Sequence, residues 1–274
     1  MSIIINNNPA SIAAQRNLTV NSSQLQKSVE HLSSGLRITR ASDDAAGLAV
    51  SETLRAQIRS INQATRNAND GISLTQVADG AASTIGNLLA RLRELSSQSA
   101  SGTVGATQRS YLDQEFSALR SEIDRIASVS EFNGTPLLSG ATNSFSVFVG
   151  FKSGAGNSID ATLNQLDLTS IGLASVDIST ANNAQSALGN IDSAISAVAT
   201  ARAGYGAIQN RFDAAIANLQ VTSENFTAAE SRIRDADVAY ETSQFTKNQV
   251  LVQAGISVLA QANALPQQAL ALLR

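Results

Sequence analysis

The sequence predicts a mainly α protein: long antiparallel helices forming a coiled-coil rod, a small β-hairpin region, and N- and C-termini paired with each other. Three observations predict it. Proline stands only at Pro9, Pro136 and Pro266, so Ala10 to Thr135 and Leu137 to Leu265 are free of the strongest helix breaker. Apolar residues recur at steps of three and four through most of both runs. Aromatics are 4% of the chain and Trp is absent, which suits thin layers of Ala, Leu, Ile and Val between helices better than a bulky core.

The elements follow in order. Asn8 before Pro9 reads as an N-cap and first-turn proline. Leu18, Leu25, Val29, Leu32 and Leu36 then keep heptad spacing, and Gly35 stops the helix. A second start comes at Ser42, with Asp43 and Asp44 in the first turn, where carboxylates complement the helix dipole. That helix is expected over about 43–99, about 85 Å at the usual rise per residue. Its stripe runs Leu54, Ile58, Ile61, Ala68, Ile72, then Leu74, Ala78, Ala81, Ile85, Leu88, Leu92 and Leu95.

Ser101-Gly102-Thr103 breaks it, and a return helix carries Leu112, Phe116, Leu119, Ile123 and Ile126. Asn133-Gly134 and Pro136 end that helix in a turn. The period then changes: Phe145, Val147, Val149 and Phe151 alternate, Lys152 to Asn157 is turn-like, and Ile159, Ala161 and Leu163 alternate again, which predicts a β-hairpin. From about Thr180 helical spacing returns with Leu188, Ile191, Ile195, Val198, Tyr205, Phe212, Ile216 and Leu219. Gly204 and Gly206 within it read as sites of close helix approach. At the C-terminal end Val238, Phe245, Val252 and Leu259 lie seven apart, as do Leu251, Val258, Leu265 and Leu272. With Ile256 they make a broad apolar face.

Little here supports chemistry. No cysteine is present, which removes disulfides, thiolate nucleophiles and Cys-based metal sites. Net charge is −3 and no basic tract stands ready for a phosphate backbone, so no nucleic-acid partner is expected. His31 is the only histidine, and neither a Ser-His-Asp triad nor an HExxH zinc site has its partners; it reads as a packing or interface residue. Asp43-Asp44 and Asp235-Ala236-Asp237 read as helix caps and salt-bridge partners rather than a cation site. Asp70-Gly71, Asp79-Gly80 and the Gly154/Gly156 turn lack the Gly-Lys-Ser/Thr of a phosphate loop. No catalytic, cofactor or metal residues are expected, and the chain is not expected to be an enzyme. Met1 to Pro9 shows no Sec-type signal pattern, and no run of about 18 apolar residues predicts a membrane span.

The terminal helices pose a physical problem, because an apolar stripe left in water forgoes about 25 cal/mol per Å². The two ends can cover each other, but a two-helix pair leaves much of the wide C-terminal face bare. Identical copies of the chain are the simplest further partner, and a repeated contact that does not close into a ring builds an open helical filament.

Specific segments carry a family resemblance. Ala13-Ala14-Gln15-Arg16-Asn17-Leu18, Leu32-Ser33-Ser34-Gly35-Leu36-Arg37-Ile38 and Ser42-Asp43-Asp44-Ala45-Ala46-Gly47-Leu48-Ala49 resemble the amino-terminal region of bacterial flagellins. Leu54 to Arg59 and Arg66 to Leu74 continue the likeness. At the other end Glu224-Asn225-Phe226, Ser231 to Asp237, Gln253-Ala254-Gly255, Val258 to Asn263 and Leu272-Leu273-Arg274 are similar to the carboxyl-terminal region. The resemblance covers residues 1–173 and 185–274.

It implies a short flagellin: a structural subunit exported unfolded through the flagellar type III channel and polymerised into the extracellular filament that drives motility. Residues 1–43 and 236–274 would form the terminal coiled-coil domain lining the filament core. Residues 44–235 would form a helical domain around it with its hairpin at about 135–175. The variable outer domains would be absent near 174–180. The seam residues for polymerisation would be Leu18, Leu25, Val29, Leu32, Leu36, Phe245, Val252, Ile256, Leu259, Leu265 and Leu272. Implied partners are further copies of itself, the flagellar export chaperone, the cap protein, the hook–filament junction protein and the host's flagellin-sensing Toll-like receptor, with no membrane partner. Arg91, Leu95 and Glu115 fall on the matching positions of the receptor-bound patch. Two alternatives stay open at this point. A junction protein shares such termini, although the Asp43-Asp44 block and the Leu272-Leu273-Arg274 ending favour a flagellin. An enzyme-bearing flagellin would need an inserted domain, for which the connector near 174–180 has no room.

Overall fold

The structure, a computed structural model, describes residues 7–140, 143–154 and 156–271. It is mainly helical. Helix α1 spans Pro9–Ser34, α2 Ala45–Ala100, α3 Ala106–Val129, α4 Ala181–Arg234 and α5 Val238–Ala271. Two small antiparallel strand pairs lie between α3 and α4: β1 (Glu131–Phe132) with β2 (Thr135–Pro136), and β3 (Asn143–Phe148) with β4 (Ser158–Leu163).

Local chemistry sets the helix ends. The Asn8 side-chain oxygen accepts the Ser11 N–H at 3.1 Å, and Pro9, which has no N–H to lose, opens α1. Gly35 closes it at φ 70°, a left-handed conformation that disfavours any residue with a Cβ, and its N–H returns to the His31 carbonyl at 2.9 Å. The start of α2 departs from expectation: it begins at Ala45, so neither Asp43 nor Asp44 lies in its first turn. Asp44 is instead the capping residue, its Oδ1 accepting the Gly47 N–H at 2.9 Å. A capping side chain needs non-helical backbone at its own position, so the helix can start only after it.

The Asn133-Gly134 turn does more than end α3. Both residues have positive φ, 49° and 76°, the signature of a two-residue hairpin turn, and they join the short pair β1–β2 that the sequence reading did not foresee. The β3–β4 hairpin falls where alternation predicts it, with Phe145 opposite Ala161 and Val147 opposite Ile159.

The chain divides into two compact units, Met1–Ala56 with Asn225–Arg274, and Gln57–Glu224. The larger unit holds the main core. From α2 come Leu74, Ala78, Ala82, Ile85, Leu89, Leu92 and Leu95, and from α4 come Ala187, Ile191, Ala194, Val198, Ala201 and Tyr205. The buried face of α2 is turned slightly from the predicted stripe: Ala82 and Leu89 are buried, while Ala81 and Leu88 are only half-buried. On α4, Ala187, Ala194 and Ala201 lie seven apart and are buried. Gly204 and Gly206 face open space, so they are not the approach sites the sequence suggested. A glycine packed tightly between α2 and α4 is Gly71, where an added methyl would stand 2.6 Å from the Phe212 ring.

Residues 164–180 form no helix or strand, yet Leu166, Ile171, Leu173, Val176 and Ile178 are buried in the same core. Their backbone is held by polar groups: Leu166 N–H donates to the Leu138 carbonyl at 2.9 Å, Ile178 N–H to Asp113 Oδ1 at 2.9 Å, and Arg120 donates to the Val176 carbonyl at 2.5 Å.

On the exposed helix faces many hydroxyls are satisfied within their own helix. Thr19, Thr53, Ser121, Ser193, Thr200, Thr222, Thr246 and Ser257 each donate to the carbonyl four residues earlier.

Candidate assembly interface

In the smaller unit α1 lies antiparallel against α5 and is tied to it at both ends. At one end Asn8 Nδ2 donates to the Ala262 carbonyl and Ser11 Oγ to Asn263 Oδ1, each at 2.8 Å. At the other, His31 Nδ1 stands 3.0 Å from Glu241 Oε1.

The contact seam on α1 is Ser11, Ala14, Leu18, Asn21, Leu25, Ser28 and Leu32, all buried or half-buried, at steps of three and four. On α5 it is Glu241, Phe245, Asn248, Val252, Gly255, Leu259 and Ala262, with the same rhythm. Large apolar residues therefore alternate with small or polar ones. At Gly255 an added methyl would stand 3.3 Å from Leu18 Cδ1, so the helices meet closely there.

The expected seam residues divide accordingly. Leu18, Leu25, Leu32, Phe245, Val252 and Leu259 line the pair, and Leu36 is half-buried in the connector after α1. Val29 and Ile256 do not belong to the intrachain seam: they are 46% and 54% exposed. On the same helices Ile12, Val20, Val238, Tyr240, Val250, Leu251 and Val258 are exposed as well. Leu265 lies on α5 beyond the described side chains, and Leu272 lies outside the described residues. Sequence reasoning missed Ser11, Ser28, Glu241 and Asn248, because it followed apolar residues only. The signal was there: continuing the three-four step through polar positions lands on each of them.

The base of the pair is a short backbone clasp. Leu36 and Asp235 form an isolated antiparallel bridge. Arg37 N–H donates to the Arg234 carbonyl at 2.7 Å and Ala236 N–H to the Gly35 carbonyl at 2.9 Å. Side chains reinforce it: Arg234 Nη1 reaches Glu52 Oε1 at 2.7 Å and Arg40 Nη2 reaches Glu30 Oε2 at 2.7 Å. Asp43 is the most heavily bonded acid. One oxygen pairs with Lys27 Nζ at 2.9 Å, and the other accepts from Thr39 N–H, Thr39 Oγ1 and Arg40 N–H. Lys27 first, then these donors, hold its carboxyl far below the usual range against the opposing effect of burial.

The second expected patch lies on the larger unit. Arg91 donates through Nε and Nη2 to Glu115 Oε1 at 3.0 and 2.8 Å and through Nη1 to Glu94 Oε2 at 2.9 Å. Those hydrogen bonds, Glu94's first, raise the guanidinium's pKa. Arg91 and Glu115 are exposed, but Leu95 is not part of that surface: it is 1% exposed and packs in the main core. An apolar residue four positions after Arg91 sits on the inward face of a helix whose neighbours Leu92 and Leu89 are also buried.

Among the described residues no cluster of His, Asp and Glu is arranged to hold a metal ion, and no helix is long and apolar enough to cross a membrane.

Comparison with known proteins decides the family. The profile for the bacterial flagellin N-terminal helical region matches residues 5–143, and that for the C-terminal helical region matches residues 188–273. The chain belongs to the bacterial flagellin family.

Similar flagellins share nearly its whole length. A flagellin from Halalkalibacterium halodurans is 47% identical over 274 residues, covering 99% of this chain and all of its own. The flagellar filament 33 kDa core protein of Treponema phagedenis is 43% identical, covering 99% of this chain and all of its own. The crystal structure of Bacillus cereus flagellin superposes with a TM-score of 0.50 at 29% identity, over 60% of this chain and 94% of that one. A flagellar hook-associated protein from Vibrio parahaemolyticus shares the fold alone, with a TM-score of 0.62 at 15% identity over 70% of this chain and all of that one. As a flagellin the chain is a structural subunit of the extracellular flagellar filament and not an enzyme.

Proposed function

We propose that the chain polymerises with copies of itself through the outer faces of α1 and α5, building the filament from its two ends. The observation that carries this reading is the apolar surface left bare when those helices pair. Val238, Tyr240, Val250, Leu251, Ile256 and Val258 on α5, with Ile12, Val20 and Val29 on α1, are exposed in the single chain. So many exposed large apolar side chains on two paired helices offer a neighbour apolar area to cover. Copies of the same chain supply a matching surface without any further component, and a non-closing contact gives a helical tube. Residues 1–43 and 236–274 then line the core, and 44–235 surround it, with no outer domain near 174–180. We further propose, on its likeness to flagellins, export through the flagellar type III channel and contacts with an export chaperone, the cap protein and the hook–filament junction protein.

Seeded growth tests the reading. Purified full-length chain added to sonicated filament fragments elongates them, whereas chain lacking 1–40 and 235–274 does not. Growth of the truncated chain into long tubes overturns it.

A second reading concerns the monomer. The exposed Arg91–Glu115 pair is a charged, preorganised surface suited to the flagellin-sensing Toll-like receptor, with Leu95 supporting it from beneath. Arg91→Asp is expected to weaken receptor signalling by soluble subunits by tenfold or more on the scale of a buried charge contact. Full-strength signalling by that variant removes the assignment.

A further inference from the structure

His31 is a buried imidazole in the contact between three segments, and its surroundings are more specific than packing requires. It sits 6% exposed on α1, where most side chains face solvent. Nδ1 meets Glu241 Oε1 of α5 at 3.0 Å. Nε2 is buried without a hydrogen bond and stands 3.9 Å from Asp43 Oδ2 in the segment joining α1 to α2. Each ring nitrogen thus faces a carboxylate on a different element. Glu241 is itself buried in the seam, where the other described positions of the three-four rhythm carry no charge. A buried carboxylate needs a donor there. Asp43, which already accepts from Lys27, Thr39 and Arg40, has no proton to offer. Nε2 faces that carboxylate across 3.9 Å and has no hydrogen-bond partner of its own.

We propose that His31 is a positioning residue that couples the seating of α5 to the folding of residues 35–44, by bonding Glu241 through one nitrogen and facing Asp43 with the other. An apolar seam of heptad rhythm tolerates sliding by a turn or two. Polar positions within it fix the register, and His31 with Glu241 supplies one at this end of the pair. Here that position also reads whether the connector is in place, because no hydrogen bond or ion pair among the described residues joins Asp43 to Glu241 directly. The imidazole is the link between them. Lys27 is the cation paired with Asp43, at 2.9 Å, and among the described residues no ion pair joins it to Glu241.

Coupling, rather than simple loss of stability, is the property to measure. Hydrogen–deuterium exchange of the full-length chain, soluble and after seeded growth, reports α5 and the connector separately. Asp43→Asn is expected to speed exchange in residues 241–252, which it does not touch, by about threefold or more, and Glu241→Gln to do the same in residues 36–44. In a His31→Gln background both cross-effects vanish, while in a Lys27→Met background they persist. His31→Gln keeps the volume and a donor, so the pair remains measurable where His31→Leu would disrupt it. The inference is overturned if Asp43→Asn leaves residues 241–252 unchanged, if the cross-effects survive His31→Gln, or if Lys27→Met alone abolishes them. It rests on the terminal pair rather than on polymerisation. Failure of wild-type chain to elongate seeds counts against the filament reading, while exchange in the soluble chain still decides the role of His31.

Discussion

At the scale of single residues one sharp constraint is Gly71 beneath Phe212. The Phe212 ring occupies the space a Cβ would need, and a ring cannot fold away as a flexible chain end would. Gly71→Ala should therefore destabilise the larger unit by about 1–3 kcal/mol in urea unfolding, with much of the loss recovered by adding Phe212→Leu. Full stability of Gly71→Ala alone would show that the ring yields. Asp43 gives a second prediction. Its folded carboxyl is held below the ordinary value by Lys27 and the Thr39 and Arg40 donors, so its stabilising effect is complete above about pH 4 and is lost as pH falls further. The smaller unit should weaken below that point in acid titration followed by circular dichroism, and Asp43→Asn should be weaker at neutral pH with a flatter acid limb. Tyr205 has the opposite sign: burial pushes its hydroxyl up to about 12, so its contribution is complete below about pH 10 and disappears only as alkali approaches that value. None of these residues announces itself in the sequence. Gly71 looks like any helical glycine, and which of Asp43 and Asp44 caps α2 depends on a one-residue placement that spacing alone does not resolve.

At the scale of elements, what was legible was whatever repeats. Proline-free runs, three-four spacing and the Asn8-Pro9 and Gly35 signals place α1 and its two ends, and the change to alternation places β3 and β4. The Gly35 cap carries a prediction: Gly35→Ala forces a Cβ into left-handed backbone and should cost about 1 kcal/mol, seen as a lower melting temperature of the smaller unit. A change within error would mean that the connector re-forms without that turn. What stayed hidden was the polar half of the terminal seam. Ser11, Ser28, Glu241 and Asn248 are buried because a partner helix covers them, and a count of apolar residues is blind to such positions. Val29 and Ile256, expected in the polymerisation seam, lie outside the intrachain contact and are exposed. Residues 164–180 were also opaque. Their order comes from side chains and carbonyls of distant segments rather than from any local period.

At the scale of the whole chain, the first and last helices belong to one unit although more than two hundred residues separate them in sequence. Each of the two helices covers part of the other's seam, so deletion of either one bares the other. Charge placed on the outer face of the pair separates folding from growth. Val250→Asp with Ile256→Asp should leave the helical content and the core of the larger unit intact while halting elongation of seeds, measured by light scattering and circular dichroism on the same samples. Undiminished elongation would move the contact elsewhere on the chain. The hydroxyls bonded back to their own helices bear on how such a face meets a neighbour. A serine or threonine already satisfied at home sheds little hydration when covered, and its short side chain has few rotamers to surrender. Surfaces of that kind can be brought together, shifted by a fraction of a turn and settled again without breaking any bond between them, a tolerance that a layer of interlocked lysines and glutamates would not allow.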